Sequence, residues 1–220
     1  MQRRQFSLGL IAATAMPLWG CAAATNPANR DQTTRAWNDA LATIERSAQG
    51  RLGVAMLDTG SGLALGWRQD ERFAMASTFK ALACATALSG GEAVLTKETK
   101  IRKADLRPHS PVTEKRVGTR LSTRALCEIT LRTSDNTAAN GVLEMLGGPQ
   151  AVTSFLRTIG DTVTRLDRNE PSLNEATPGD LRDTTTPQAM VQTLQSLVLG
   201  DALKTSDRDR LTDWLRHNEV

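Results

Sequence analysis

The chain has 220 residues, 40% of them apolar and 4% aromatic, and a formal net charge of +3. That length fits one domain or two closely packed halves, and so small and scattered a charge argues against a nucleic-acid partner. The two histidines, His109 and His217, lie far apart and form no H-x-H or H-E-x-x-H pattern, so neither a metal nor any other cofactor is expected.

Residues 1–24 read as an export signal of the twin-arginine type. Arg3-Arg4-Gln5-Phe6-Ser7-Leu8 precedes an apolar run from Leu8 to Trp19 that is too short to span a bilayer. Ala22-Ala23-Ala24 offers a cleavage site, and Leu18-Trp19-Gly20-Cys21 offers a lipoprotein box with an anchor at Cys21. Export would place the chain in the periplasm. There Cys84 and Cys127 are expected to join as a disulfide, whereas in a reducing compartment two such cysteines would be buried thiols.

Residues 26–32 read as a polar linker. Ala36, Trp37, Ala40, Leu41, Ile44 and Ala48 then recur at helical spacing up to Gly50. Two short apolar runs flank Asp58-Thr59-Gly60-Ser61-Gly62, a hairpin signal, so 25–72 read as the first part of an α/β unit. Residues 73–216 read as all-helical. Helices are expected over Ser77 to Leu88, Ser122 to Leu131 and Thr137 to Leu146. Three more follow: one after Gly148-Pro149, one from Thr186-Pro187 to Leu199, and a last from Ser206-Asp207 through Trp214. Residues 165–183 lack periodicity and form a long loop, which inside a compact domain is usually functional. Two strands alone make a poor sheet, so the hairpin either packs on helices or finds strands outside these residues.

Three short motifs carry chemistry. In Ser77-Thr78-Phe79-Lys80, Ser77 and Lys80 share one helix face near its first turn, where a partly desolvated amine can take the hydroxyl proton and a backbone N–H can hold an oxyanion. Ser134-Asp135-Asn136 sits between two helices; a second hydroxyl can pass a proton on, and an amide can bind a carbonyl. Within the loop, Glu170 and Asn174 stand four apart, a carboxylate and an amide able to hold and deprotonate one water. Arg165 and Arg168 before them, with Asp180 and Asp183 after, are placed to pin the loop by ion pairs. Each motif alone is more often a helix cap or a charged surface turn. Their order along one chain separates them from that background.

In that combination the chain resembles the class A serine β-lactamases, from the export signal to Val220. The likeness extends to Ser110-Pro111-Val112-Thr113-Glu114-Lys115 and to the Glu-Pro-x-Leu-Asn-x-Ala run ending at Ala176. The resemblance implies a two-part fold, α/β plus all-α, shared with penicillin-binding D,D-peptidases, with only the first two strands of its antiparallel sheet in this chain. It implies a monomer acting on β-lactam antibiotics through an acyl-enzyme, with no transmembrane span. Ser77 would be the nucleophile, Lys80 or Glu170 the acylation base, Ser134 the proton relay and Glu170 with Asn174 the deacylating pair. Asn136 and His109 would contact substrate, His109 where the family usually has an aromatic residue. An Arg168–Asp183 ion pair would close the Ω loop, and the bond before Pro171 would be cis. The family's K-T-G motif is absent, because no glycine follows Gly200. The chain is therefore expected to be truncated, with 217–220 starting the return to the sheet, and residues 1–220 alone to hydrolyse little. The alternatives are a D,D-peptidase, or a non-enzymatic sensor or remnant.

Overall fold

Helix α1, Pro27–Ala48, runs through the stretch read as a linker. Residues 31–36 are exposed all round, and polar residues at a solvated helix end do not interrupt it. The structure is a computed structural model that describes residues 27–220; the expected export segment and Cys21 lie outside them.

The hairpin follows as β1, Val54–Leu57, and β2, Ala64–Trp67, antiparallel with Val54 opposite Trp67 and Leu57 opposite Ala64. Then come β3, Phe73–Ala74, and helices α2, Phe79–Ser89, and α3, Glu92–Leu95. Strands β4, Glu98–Lys100, and β5, Arg120–Ser122, lead into α4, Thr123–Thr133, α5, Asn136–Leu146, and α6, Pro149–Thr158. The long loop ends at β6, Thr184–Thr185, and α7, Pro187–Val198, and α8, Thr205–Arg216, close the described residues.

The hairpin's sheet holds only β1 and β2 among the described residues, but the reading of 73–216 as all-helical is corrected: β3 pairs with β6 and β4 with β5, both antiparallel and each a separate two-stranded sheet. Two- and three-residue strands have too few residues to show a period, and they exist because the flanking elements bring distant backbones together. As for the hairpin, β1 lies against α7 and β2 against α1, so among the described residues it packs on helices.

Helix α2 is the axis of the molecule. Phe79, Leu82, Ala83, Cys84, Ala85, Ala87 and Leu88 are all buried, the signature of a helix surrounded on every side, and α4, α5, α6 and α8 pack around it. Leu126, Val142, Leu143, Val152, Leu156, Leu211 and Trp214 complete that core. Where α5 crosses α4, Gly141 leaves no space: a Cβ there would stand 2.9 Å from Leu126 Cδ1. This close crossing sets where the α4–α5 turn lies relative to α2.

The expected disulfide is not formed. Cys84 and Cys127 are both free and fully buried, with Cys84 Sγ directed at the Cys127 carbonyl at 3.7 Å. Burial pushes the Cys84 thiol well above its ordinary range, and contact with Cys127 adds to the effect, which holds it as the neutral thiol.

Candidate active site

Ser77 is not in α2 itself. It occupies a single 3₁₀ turn, Ala76–Thr78, that runs into the helix, and it is exposed while Lys80 one turn later is buried. Ala76 at φ 44° lies in the left-handed region, which turns the chain from β3 into the helix and leaves Ser77 at its N-terminal end.

The second motif is fixed by a buried carboxylate. Asp135, with no solvent exposure, caps α5 by accepting from Ala138 N at 2.8 Å, and it also accepts from Val112 N, Thr113 N and Thr113 Oγ1. It thereby ties the segment after Ser110 to the start of α5. Ser134 before it adopts φ 55° as the C-cap of α4, and this left-handed residue aims its hydroxyl back at α2.

Lys80 Nζ is the hub of the site. It donates to Ser77 Oγ at 3.0 Å, Ser134 Oγ at 2.9 Å, Ser134 O at 2.7 Å and Asn136 Oδ1 at 2.7 Å. Ser134 Oγ also donates to Ser77 Oγ at 3.0 Å, so the two hydroxyls and the amine form a closed triangle. Burial lowers the Lys80 pKa below 10.5, and the Glu170 charge restores part of the loss. Asn136 has its amide held at both ends, Oδ1 by Lys80 and Nδ2 by the Pro108 carbonyl at 2.8 Å.

Glu170 reaches the same hub from the loop. Its Oε1 lies 3.5 Å from Lys80 Nζ, and its Oε2 accepts from Asn174 Nδ2 at 2.6 Å. Oε1 is buried and accepts no hydrogen bond from the described residues. The Glu170–Pro171 bond is cis. At the loop's neck Asp183 Oδ1 accepts from Asp167 N at 2.7 Å and Arg168 N at 2.9 Å, and Oδ2 accepts from Arg168 Nε at 2.6 Å. Asp167 Oδ2 reciprocates, accepting from Asp183 N at 3.1 Å. The expected pins from Arg165 and Asp180 are corrected. Arg165 pairs with Asp167 and Asp180 with Arg182, in each case a partner two residues away that is reached without crossing the neck.

His109 stands at the rim, exposed, at φ 59°, with Nε2 3.1 Å from the Thr133 carbonyl and its own carbonyl accepting from Asn136 N. A cleft of about 440 Å³ opens beside the hub, lined by Ser77, Lys80 and Ser134 on one side and Met190, Leu194 and Leu215 on the other. A larger cavity, about 750 Å³, lies between the loop and Phe73 and includes none of the hub residues. No helix of the described residues is long and apolar enough to cross a membrane.

Sequence reasoning missed three residues: Asp167, Pro108 and Asn140. The last brackets the Glu170 peptide unit, accepting from its N–H and donating to its C=O, both at 2.9 Å. Its spacing of four from Asn136 on one helix was the available signal.

The profile of the beta-lactamase enzyme family matches residues 36–220. Beta-lactamase L2 of Stenotrophomonas maltophilia is 49% identical over 222 residues, covering 98% of this chain and 73% of its own length. Among solved structures, the ancestral class A beta-lactamase reconstructed for Gram-negative bacteria is 54% identical with a TM-score of 0.80, covering 83% of this chain and 72% of that one. The chromosome-encoded beta-lactamase of Vibrio parahaemolyticus is 47% identical with a TM-score of 0.81, covering 83% and 71%.

Proposed function

Because this chain belongs to the beta-lactamase enzyme family and groups with its class A members, we propose that it opens β-lactam amides through an ester on Ser77. The observation that carries this is the Ser77–Lys80–Ser134 triangle with Glu170 against it.

Lys80 passes one proton to Glu170 across their 3.5 Å separation, and the neutral amine takes the Ser77 Oγ proton through the 3.0 Å contact as Ser77 attacks the lactam carbonyl carbon. As the ring C–N bond breaks, the proton returns to the departing nitrogen through Ser134, whose hydroxyl touches both Ser77 and Lys80. Glu170 returns its proton to Lys80 and, with Asn174 fixing the carboxylate, deprotonates the water that attacks the ester; that proton passes to Ser77 Oγ as the acyl C–O bond breaks. A buried carboxylate oxygen without a protein donor, such as Oε1, takes a water in preference to remaining unpaired. This deacylating pair separates a hydrolase from a D,D-peptidase, whose ester persists. Asn136 and His109 flank the acyl side chain of the substrate. Export to the periplasm belongs to the same proposal.

No K-T-G occurs in these 220 residues, so the test is covalent capture and not turnover. Intact-mass and peptide mass spectrometry after a short benzylpenicillin pulse are expected to find one penicilloyl group on the peptide containing Ser77 and none on Ser77→Ala. Labelling elsewhere, or none in folded protein, refutes the proposal.

A further inference from the structure

We infer that His109 is a positioning residue for Ser134, clamping the α4–α5 turn that carries the relay hydroxyl from both of its flanks. Its catalytic meaning rests on the acyl-enzyme proposal; its geometry stands apart from it. A helix leaves its last carbonyls without intrahelical partners. At the end of α4, four in a row are met from elsewhere in the chain. Leu131 O accepts from Asn218 Nδ2 at 2.8 Å, Arg132 O from Glu219 N at 2.8 Å and Ser134 O from Lys80 Nζ at 2.7 Å. The Thr133 carbonyl between them faces His109 Nε2 at 3.1 Å. A carbonyl oxygen only accepts, so this contact is a hydrogen bond when the ring carries its proton on Nε2.

The other flank is held by the backbone of the same segment. The His109 carbonyl accepts from Asn136 N at 3.0 Å, and the Pro108 carbonyl accepts from Asn136 Nδ2 at 2.8 Å. Residues 108–109 therefore bond the turn at Thr133, just before Ser134, and at Asn136, just after Asp135. The segment has a firm base, because Thr137 Oγ1 accepts from Arg107 N at 2.8 Å and lies 2.7 Å from Ser110 Oγ. Ser134 itself sits at φ 55°, a region that a residue with a Cβ enters only at a cost, so bonds on each side help to keep it there. Its hydroxyl must hold 3.0 Å to Ser77 Oγ and 2.9 Å to Lys80 Nζ at once. Under the acyl-enzyme proposal the His109 ring also flanks the substrate, and two substitutions separate the roles. Phenylalanine keeps a ring and has no nitrogen to donate; glutamine keeps a donor nitrogen and has no ring. Displacing a catalytic group by about 1 Å costs on the order of 10²-fold in rate. Losing one flank while both Asn136 bonds remain should cost less, on the order of tenfold. The loss should fall on ester formation, where Ser134 delivers the proton to the ring nitrogen, more than on ester hydrolysis, which depends on Glu170.

The experiment compares the parent chain, His109→Phe and His109→Gln by two readouts. The first is the Thr133 carbonyl carbon resonance in NMR spectra, which responds to the donor that the carbonyl accepts. It should move in His109→Phe, which removes the donor, and stay near its parental position in His109→Gln. The second is intact mass during a pulse of saturating benzylpenicillin. Ester formation should slow about tenfold in His109→Phe, with the ester lifetime changed no more than a few-fold. In His109→Gln it should recover to within a few-fold of the parent, although more benzylpenicillin is needed to saturate a site without the ring. An unmoved Thr133 resonance, or ester formation at the parental rate, in His109→Phe overturns the inference. Equal slowing of ester formation in both variants also overturns it, because the ring and not its nitrogen would then matter. So does equal slowing of formation and hydrolysis, which is the mark of general loosening. If the parent forms no ester, the acyl-enzyme proposal fails while the Thr133 resonance still decides the clamp. If His109→Phe does not fold, His109→Gln decides: a Thr133 resonance kept at its parental position supports the inference, and a displaced one overturns it.

Discussion

Lys80 Nζ and Glu170 Oε1 stand 3.5 Å apart with their side chains 2% and 0% exposed. Neither group has bulk water to fall back on, so each is the main compensation for burying the other's charge. The pair lies on two segments 90 residues apart, α2 and the loop, and it is the contact through which the loop joins the serine hydroxyls.

Replacing Glu170 by Gln keeps the shape and removes the charge. The Lys80 pKa, already lowered by burial, should fall further because the charge that raises it is gone. A benzylpenicillin ester on Ser77 should then persist, seen as a mass shift that does not decay over the time in which the parent clears it. Decay at the parental rate would exclude Glu170 from ester hydrolysis. Because half of a buried pair is left behind, the substitution should also destabilise the fold, with ~3–5 kcal/mol as the scale for an unpaired buried charge.

The neck of the loop depends on Asp183, whose side chain is fully buried and serves two backbone amides and Arg168. Asp183→Ala should lower stability by roughly 3–5 kcal/mol in urea denaturation, since it leaves two N–H groups unpaired and takes from Arg168 its buried partner, leaving only the exposed Glu175. Limited proteolysis should find its first new cuts within 165–183. A loss under about 1 kcal/mol, the scale of an exposed ion pair, would mean that the clasp is not structural.

Asp167 gives a pH signature. The Arg165 guanidinium, and then the Asp183 N–H, hold its carboxyl below the ordinary 3.8. A carboxyl depressed in the folded state stabilises it fully above 3.8 and loses that contribution as pH falls through 3.8 and below. The urea midpoint should therefore be level near neutrality and drop steeply below about pH 4, with a shallower drop in Asp167→Asn. An identical acid limb in both proteins would remove Asp167 from the account.

The two core cysteines should stay reduced in whichever compartment the chain folds. Protein folded in a reducing cytosol should show both Cys84 and Cys127 as thiols once denatured, and neither reacting while native, because both are buried and the Cys84 thiol is held neutral. Protein exported by its own N-terminal segment should show the same two thiols after denaturation, because both are buried in the native core. Loss of both thiols in exported protein would overturn the free, buried state of the pair.

Much of this molecule is written locally. Helices α4, α5, α6 and α7 begin and end where Ser122, Asp135, Gly147, Gly148, Pro149 and Thr186 say they should, because capping and turn chemistry act over four residues. The three motifs were legible for the same reason: Ser77 with Lys80, Ser134 with Asn136 and Glu170 with Asn174 each lie within one turn, and their order along the chain distinguished them from ordinary caps. What only the tertiary structure decided is everything that spans elements. The pairing of β3 with β6, the reciprocal clasp of Asp167 with Asp183, the free state of Cys84 and Cys127 and the grip of Asn140 on the Glu170 backbone all join segments distant in sequence. No local pattern encodes them. They follow from where the packing of α2 against α4, α5, α6 and α8 leaves the chain, and it is that packing which brings three separate motifs to one amine.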